Sequence, residues 1–226
     1  MNPIITRLLS AQSTLTAIDI GRSEATVLKT PDGFLKIAPR GKLCRAATLQ
    51  EYFASKGLSA PLIAFDQDDA RDYLLVAAVP GRSGIEILDS PEWLVDTLAE
   101  TLRHVHSMDA SDCPLSDVNE QALALYERET GHAYPGDASI LKKDALVHGD
   151  CCLPNVFFGE NGFSGFIDLG EGGLGDHHFD LYWAMWSLNY NLKTYRYSGR
   201  FMDAYGHDAI DPVRLGCCTR LSRCDE

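Results

Sequence analysis

The 226-residue sequence lacks any hydrophobic run long enough to cross a membrane, since a spanning helix needs about 20 apolar residues. Its N-terminus has a short apolar patch but no basic region leading into a sustained apolar segment and a cleavage site. Repeats and low-complexity tracts are also missing. These absences predict one large globular domain or two small lobes, in the cytoplasm and with no membrane partner.

The sequence lacks the cysteine motifs of several classes of protein. There are seven cysteines, an odd number, and none forms a Cys-x-x-Cys pair. This argues against a disulfide framework or a structural zinc and for reduced thiols in the cytoplasm. The adjacent Cys151 and Cys152 leave two less favoured alternatives open. They could supply a thiol nucleophile, or a metal site together with His177 and His178, although free cysteines are commonly buried packing residues.

Basic residues are scarce relative to acidic ones. Lys and Arg total 20 against 32 Asp and Glu, which gives a formal net charge of -12. Such a balance disfavours nucleic acid as a partner, because phosphate binding needs a basic surface. It favours a small cationic ligand, whose approach an acidic cleft would speed, and solubility alone explains the charge equally well. Nothing in the sequence indicates a protein partner.

The order of predicted elements indicates the fold class. Residues 1–80 predict strands with one helix: STLTAIDIG, EATVLKT, GFLKIAP, APLIAFDQDD and DYLLVAAVPG as strands, and KLCRAATLQEYFASKG as a helix ending at Gly57. Residues 81–226 predict mainly helices: SPEWLVDTLAETLRHVHSM, NEQALALYERE and FDLYWAMWSLNYNL, with a hairpin in NVFFGENGFSGFID. The sequence therefore predicts an α+β protein with a sheet-rich N-lobe (1–80) and a mainly helical C-lobe (81–226).

Polar residues interrupt two apolar runs in a spaced pattern. LVHGDCCLPNVFF contains His148, Asp150 and Asn155, and GFIDLG further on contains Asp168. The spacing Asp-x₄-Asn is that of the protein-kinase catalytic loop. Phosphoryl transfer needs a carboxylate to orient the attacking hydroxyl and hard oxygen ligands to hold Mg²⁺. Taken singly, these residues are common in turns. As a set, with Lys36 in an apolar strand as the phosphate-binding cation, they favour a kinase site.

HGDCCLPN followed by FSGFIDLGEGGLGDHHFDL resembles the signature of the aminoglycoside 3'-phosphotransferases, a branch of the protein-kinase-like superfamily. IGRSEATVLK is similar to that family's nucleotide-positioning loop, DYLLVAAVPG to its last N-lobe strand and hinge, and LRHVHSMDASDCP to the helix end before the substrate region. The resemblance implies a two-lobed protein-kinase-like fold. It also implies transfer of the γ-phosphoryl of ATP or GTP to the 3'-hydroxyl of an aminoglycoside, a reaction that confers antibiotic resistance.

The resemblance also assigns residues to functions. It makes Asp150 the catalytic carboxylate, and it implies Mg²⁺ held by Asn155 and Asp168. It implies that the nucleotide is bound by four residues, Lys36 at the phosphates with Gly21, Ser23 and Ala78. His148 would brace the catalytic loop, and Asp180 would anchor it or cap the following helix. The acceptor would be bound by three carboxylates, those of Glu171, Asp225 and Glu226.

Three departures from the family pattern leave alternatives open. Ala46 stands where the family has a helix glutamate that pairs with the lysine, so Lys36 is expected to contact Asp168 or the phosphates directly. Glu171 stands where arginine is usual, and the segment 107–147 is short. The chain could accordingly be a related kinase for another cationic hydroxyl compound, or a non-catalytic nucleotide-binding relative.

Overall fold

The computed structural model describes residues 2–10, 16–18 and 25–223, and it divides into two compact units. The first unit contains the described residues up to Pro80 together with Gly165–Gly170, and the second contains Gly81–Ser164 and the described residues from Glu171 onward. The sheet lies in the first unit and most helices in the second, so the predicted α+β class is confirmed. No helix within the described ranges is long and apolar enough to cross a membrane.

The first unit is built on a five-stranded antiparallel sheet with the strand order β1-β2-β3-β5-β4. Its strands are β1 Thr16–Ile18, β2 Thr26–Thr30, β3 Gly33–Pro39, β4 Leu62–Gln67 and β5 Arg71–Val76. Its helices are α1 Pro3–Ser10 and α2 Cys44–Ser55. The strands and α2 were predicted from sequence, whereas α1 was not.

Side-chain alternation along β3 and β5 gives the sheet two covered faces. One face buries Leu35 and Leu75 with Ile5 and Leu8 of α1. The other face buries a second cluster under α2, formed by Ala38, Leu43, Ala46, Ala47 and Leu74. Lys36 pairs with Leu74 across the strands and, being one residue from Leu35, projects on the α2 face.

Residues 165–170 join the first unit although they come from the C-terminal half of the chain. The backbone N–H of Phe166 donates to the carbonyl of Leu58 at 2.8 Å. The buried Phe166 ring packs edge-on against Phe53 of α2, with the ring centroids 6.3 Å apart. These contacts place Asp168, two residues later, in the same unit as Lys36.

The second unit is mainly helical. Its helices are α3 Pro91–His106, α4 Val118–Thr130, α5 His178–Leu192, α6 Ser198–Tyr205 and α7 Pro212–Ser222. Its short strands are β6 Arg82–Ser83, β7 Ala145–Val147, β8 Val156–Gly159, β9 Gly162–Phe166, whose last two residues belong to the first unit, and β10 Gly173–Gly175. β7 pairs antiparallel with β10, and β6, β8 and β9 form a second small sheet. α3 packs on α6 and α5 packs on α7.

Several predicted boundaries are confirmed because they depend on local chemistry. α3 begins at Pro91 after Ser90, which suits the fixed φ of proline and its missing N–H. α2 ends just before Gly57, whose φ of +73° lies in the left-handed region that glycine adopts readily. The predicted hairpin is formed by β8 and β9, with Asn161 at its tip and Gly162 at φ +104°.

Candidate active site

In the first unit, Lys36 and Asp168 form an ion pair. Lys36 Nζ lies 2.7 Å from Asp168 Oδ1, and the two side chains are 22% and 51% exposed. Asp168 has a φ of +59°, a left-handed conformation that residues other than glycine seldom adopt. Backbone strain of this kind is concentrated at functional sites, where surrounding contacts maintain it. Two residues 132 positions apart in sequence thus meet as a cation and a carboxylate.

Ala46, the α2 position where the family pattern has a glutamate, lies close to Gly170 at the end of the 165–170 segment. Ala46 is buried, and a Cβ added to Gly170 would lie 3.9 Å from the Ala46 Cβ. Arg45 Nε donates to the Gly170 carbonyl at 2.9 Å, which ties α2 to the end of the 165–170 segment. The expectation that Lys36 contacts Asp168 directly in the absence of a helix glutamate is therefore confirmed.

In the second unit, Asp150 and Asn155 lie at the two ends of one short loop. Asp150 follows β7, and Asn155 ends a 3-10 helix that spans Leu153–Asn155. Asn155 Nδ2 donates to Asp150 Oδ2 at 2.9 Å and to the Asp150 carbonyl at 3.0 Å. Because the amide nitrogen is used in this way, the carbonyl oxygen Oδ1 is the atom of Asn155 that can ligate a metal. The loop therefore offers a half-buried carboxylate and an amide oxygen.

Gly149 and His148 fix the shape of this loop. Gly149 has a φ of +85°, and a Cβ there would lie only 2.2 Å from the Glu171 carbonyl oxygen. His148 is 1% exposed, and its Nδ1 accepts a hydrogen bond from the Asp150 N–H at 3.2 Å. The imidazole thus contacts the backbone of the residue that carries the carboxylate.

Three hydrogen-bond donors contact the carboxylate of Asp180, next to the loop. The backbone N–H groups of His148 and Gly149 each donate to its carboxylate at 2.8 Å, and His106 Nε2 lies 3.2 Å from Oδ2. Complete burial alone would raise the pKa of Asp180. The hydrogen bonds from His106 and from the backbone N–H of His148 instead hold the pKa below its ordinary value, so the carboxylate stays ionised.

The sequence did not predict that His106 takes part in this network. Its Nδ1 lies 2.9 Å from the hydroxyl of Tyr205, and burial raises the pKa of that hydroxyl, so Tyr205 remains a donor. A Tyr205 hydroxyl that donates to Nδ1 leaves the proton on Nε2, which then donates to Asp180. His106 is separated by 99 and 74 positions from Tyr205 and Asp180, so no local pattern links them.

The two cysteines that follow Asp150 do not suit nucleophilic chemistry. Burial raises the pKa of both Cys151 and Cys152, and the negative charges of Asp180 and Asp150 raise the two values further. A thiol nucleophile reacts as the thiolate, which these surroundings disfavour. All six cysteines in the described part of the chain are free thiols.

Among the described residues, the one group with metal-ligand geometry is Asp176 with His177 and His178. His178 Nδ1 bonds Asp176 Oδ1 at 2.7 Å, while its Nε2 accepts from the Asp211 N–H at 2.9 Å. Arg214 Nε occupies the other Asp176 oxygen at 2.7 Å. The ligand atoms of Asp176 and His178 are already used in hydrogen bonds, and the Arg214 guanidinium lies beside them, so the cluster does not fit a metal. The vicinal cysteines are not part of it.

Of the remaining predicted site residues, two lie within the described part of the chain and four lie outside it. Ala78 is exposed just after β5, and Glu171 is exposed in the second unit, with its carbonyl against Gly149. The other four lie outside the described residues: Gly21, Ser23, Asp225 and Glu226. The structure thus describes Lys36, Asp168 and Ala78 in one unit and Asp150, Asn155 and Glu171 in the other.

Comparison with known proteins identifies the class of protein to which these features belong. The sequence model of the family described as "Phosphotransferase enzyme family" matches residues 14–215, so the chain belongs to that family and is a phosphotransferase. A Lactococcus lactis protein named "Probable aminoglycoside 3'-phosphotransferase" is 38% identical to it, over 86% of each chain. The resemblance to the aminoglycoside phosphotransferases is therefore confirmed.

Solved structures share the fold. An aminoglycoside phosphotransferase from Streptomyces rimosus, in complex with ADP and streptomycin, has a TM-score of 0.73 at 17% identity, covering 99% of this chain and 98% of that one. A choline kinase from Streptococcus pneumoniae has a TM-score of 0.64 at 15% identity, covering 98% of this chain and 86% of that one. At these identities the likeness concerns the fold alone, and it confirms the predicted kinase-like architecture.

Proposed function

We propose that this enzyme transfers the γ-phosphoryl of ATP or GTP to an aminoglycoside, at its 3'-hydroxyl, and thereby confers resistance to the antibiotic. The observation that carries the reaction type is the loop in which Asn155 holds the Asp150 carboxylate at 2.9 Å. The similarity to the Lactococcus lactis protein supports the acceptor class. Because the donor is a nucleoside triphosphate, we place the reaction in the cytoplasm.

Asp150 orients the attacking group. Its carboxylate accepts a hydrogen bond from the acceptor hydroxyl and directs the oxygen at the γ-phosphorus. The new O–P bond forms as the bond from the γ-phosphorus to the bridging oxygen breaks, the hydroxyl proton passes to the Asp150 carboxylate, and the nucleoside diphosphate leaves. The hydrogen bonds from Asn155 hold the carboxylate in one position, so little reorganisation is needed during the reaction.

Lys36, Asp168 and Asn155 serve the donor. The Lys36 ammonium contacts the α- and β-phosphates. The Asp168 carboxylate and Asn155 Oδ1 are hard oxygen donors, the type that Mg²⁺ prefers, so these residues fit that ion. When bound, Mg²⁺ neutralises charge on the phosphates. The exposed fraction of the Asp168 side chain, 51%, leaves it accessible for this purpose although it is paired with Lys36.

Other contacts in the proposal complete the two substrate sites. Gly21 and Ser23 cover the phosphates, and Ala78 lines the nucleotide site at the end of β5. Glu171, Asp225 and Glu226 bind amines of the acceptor. Glu171 is exposed and adjoins the catalytic loop through its carbonyl contact with Gly149, which supports its inclusion.

Two substitutions separate the acceptor-orienting carboxylate from the metal-binding one. Asp150→Asn preserves size but removes the charge that orients the nucleophile, so Mg-nucleotide affinity should survive while kcat falls by about 10² to 10⁴. Asp168→Asn weakens the metal site, so Mg-nucleotide affinity and kcat should both fall. Calorimetric titration of Mg-nucleotide measures the first effect, and steady-state kinetics with kanamycin, an aminoglycoside that carries a 3'-hydroxyl, measure the second.

The same experiment includes its controls. Asp69→Asn, in the exposed β4–β5 turn, should leave kinetics unchanged. If Asp150→Asn abolished nucleotide binding while Asp168→Asn preserved binding and turnover, the assigned roles would be reversed and the proposal lost. Turnover of choline but not of kanamycin would transfer the assignment to a related small-molecule kinase. Nucleotide binding without turnover of either compound would indicate a non-catalytic relative.

A further inference from the structure

A row of aromatic rings, of which the half-buried Trp183 is one and two are exposed, runs along α5. Trp183, Trp186 and Tyr190 follow one another at intervals of three and four residues. The centroids of Trp183 and Trp186 are 5.8 Å apart with an interplanar angle of 84°, and Trp186 and Tyr190 stack at 5.2 Å and 9°. Trp186 is 37% exposed and Tyr190 59% exposed. Contiguous exposed apolar surface is a mark of binding sites, whereas apolar residues exposed singly are normal.

The row flanks the catalytic loop. Ser187 Oγ accepts a hydrogen bond from the Leu153 N–H at 2.9 Å, and Leu153 lies between Asp150 and Asn155. Successive residues of an α-helix are rotated by about 100° around its axis. Measured around the axis of α5 from Ser187, the side chains of Trp183 and Tyr190 lie within about 60° and that of Trp186 within about 100°, all on the same side of Ser187. The aromatic row therefore borders the side of α5 that supports the loop carrying the catalytic carboxylate.

The chemistry of the row suits a cation. Lys193 Nζ already lies 4.0 Å from the centre of the Tyr190 ring, a cation–π contact. Ring faces attract ammonium groups and also pack on the C–H faces of sugar rings. The acceptor in the proposed function is a polyamine sugar, and the chain itself carries a formal charge of -12.

We propose that Trp186 and Tyr190 form part of the acceptor-binding site, where an ammonium-bearing sugar ring lies against their faces. This inference rests on the proposed function for the class of acceptor. It adds aromatic contacts to the carboxylates assigned there, and it makes the Lys193 ammonium an internal competitor for the Tyr190 face. Cation–π attraction and ring packing then contribute to acceptor affinity and not to the transfer step.

Ring-deleting substitutions test the inference. Tyr190→Ala and Trp186→Ala should each raise KM for kanamycin about 5- to 30-fold, the range that an ordinary cation–π contact corresponds to. Their kcat and the nucleotide KM should change less than twofold. Tyr190→Phe and Trp186→Phe retain a ring, so their KM values should stay near the wild-type value. Lys193→Gln, which frees the Tyr190 face, should lower KM.

A matched control comes from the next exposed aromatic residue along the chain. Tyr195 is 81% exposed and lies beyond the end of α5, so Tyr195→Ala should leave KM unchanged. Thermal unfolding of each variant identifies any general loss of structure. Unchanged kanamycin KM in both ring-deleting variants would overturn the inference, as would an equal effect of Tyr195→Ala.

Calorimetric titration of kanamycin separates failure of this inference from failure of the proposed function. If the wild-type enzyme bound kanamycin without phosphorylating it, the proposed function would fail. The inference would still stand if Tyr190→Ala weakened binding, and it would fall if binding were unchanged. Binding of choline with no binding of kanamycin would overturn the assigned class of acceptor.

Discussion

At the scale of single residues, Gly149 is the most constrained position of the loop that carries Asp150 and Asn155. Its φ of +85° alone costs a residue with a Cβ about 1–2 kcal/mol. The added Cβ would also meet the Glu171 carbonyl oxygen at 2.2 Å, so one of the two backbones must move. We expect Gly149→Ala to lower the free energy of unfolding by more than 1–2 kcal/mol and kcat by at least about tenfold, as measured by denaturant titration and steady-state kinetics.

Gly131 provides the matched control for that substitution. It has a φ of +71° at the C-terminus of α4, and a Cβ there would meet nothing within 4 Å. Gly131→Ala should therefore cost only the backbone contribution and leave kcat unchanged. Equal effects of the two substitutions on stability would show that the contact with Glu171 does not constrain the loop.

At the scale of elements, a buried ion network ties α7 to Asp144 and Asp176, which adjoin β7 and β10. Arg214 of α7, whose side chain is 7% exposed, donates to Asp176 at 2.7 Å and to Asp144 at 2.6 Å. Removing the guanidinium leaves the fully buried Asp176 carboxylate without its cation. Losing one partner of a buried pair typically costs about 3–5 kcal/mol. We expect Arg214→Met to destabilise the protein by about 3 kcal/mol at pH 7, measured by denaturant titration.

The loss of stability caused by Arg214→Met should depend on pH because of the Asp176 carboxyl. Burial alone would raise its pKa, but hydrogen bonds from His178, the Lys142 N–H and Arg214 lower the pKa to about 2. A carboxyl whose folded-state pKa is depressed stabilises the fold above its unfolded-state pKa, and that stability is lost as pH falls toward the folded-state value. The cost of Arg214→Met should therefore shrink between about pH 4 and about pH 2. A cost independent of pH would contradict this account.

Arg200 and Asp96 provide the exposed counterpart. Their side chains are 47% and 34% exposed, so water screens the pair. Arg200→Met should cost at most about 1 kcal/mol, as is usual for surface ion pairs. A cost similar to that of Arg214→Met would mean that burial does not determine the strength of these pairs.

Elements were predicted best where the signal is local. Ser90-Pro91 and Gly57 marked helix ends correctly because proline and glycine act through their own backbone geometry. The short helices α1, α6 and α7 and the three-residue β10 were missed. Short elements owe their stability to tertiary packing more than to propensity, and their sequences have little periodicity to detect. The unit to which residues 165–170 belong depends on contacts with Leu58 and Phe53, which are distant in sequence.

At the scale of the whole molecule, the site was predictable only as far as spacing and resemblance reach. Asp150 and Asn155 are five positions apart, and the loop between them is short enough that spacing implies their contact. Lys36 and Asp168 are separated by 132 positions, so spacing could not bring them together; the chemical needs of phosphoryl transfer and the resemblance to a known family did. The hydrogen bonds that His106 makes to Asp180 and Tyr205 had no such guide. Side chains that support a site through hydrogen-bond networks have no characteristic spacing in the sequence, so no motif reveals them.

The formal charge of -12 also affects the whole molecule, because it attracts a polyamine from a distance. Raising salt from about 0.05 to 0.5 M shortens the Debye length from about 14 to about 4 Å, so KM for kanamycin should climb while kcat changes little. A cation–π contact acts within about 6 Å and is screened much less, so Tyr190→Ala should raise KM by a similar factor at both salt concentrations. Steady-state kinetics of both proteins across this range measure the two effects separately. A flat wild-type KM would remove the electrostatic attraction, and a Tyr190→Ala effect that vanished at high salt would indicate that charge alone binds the acceptor.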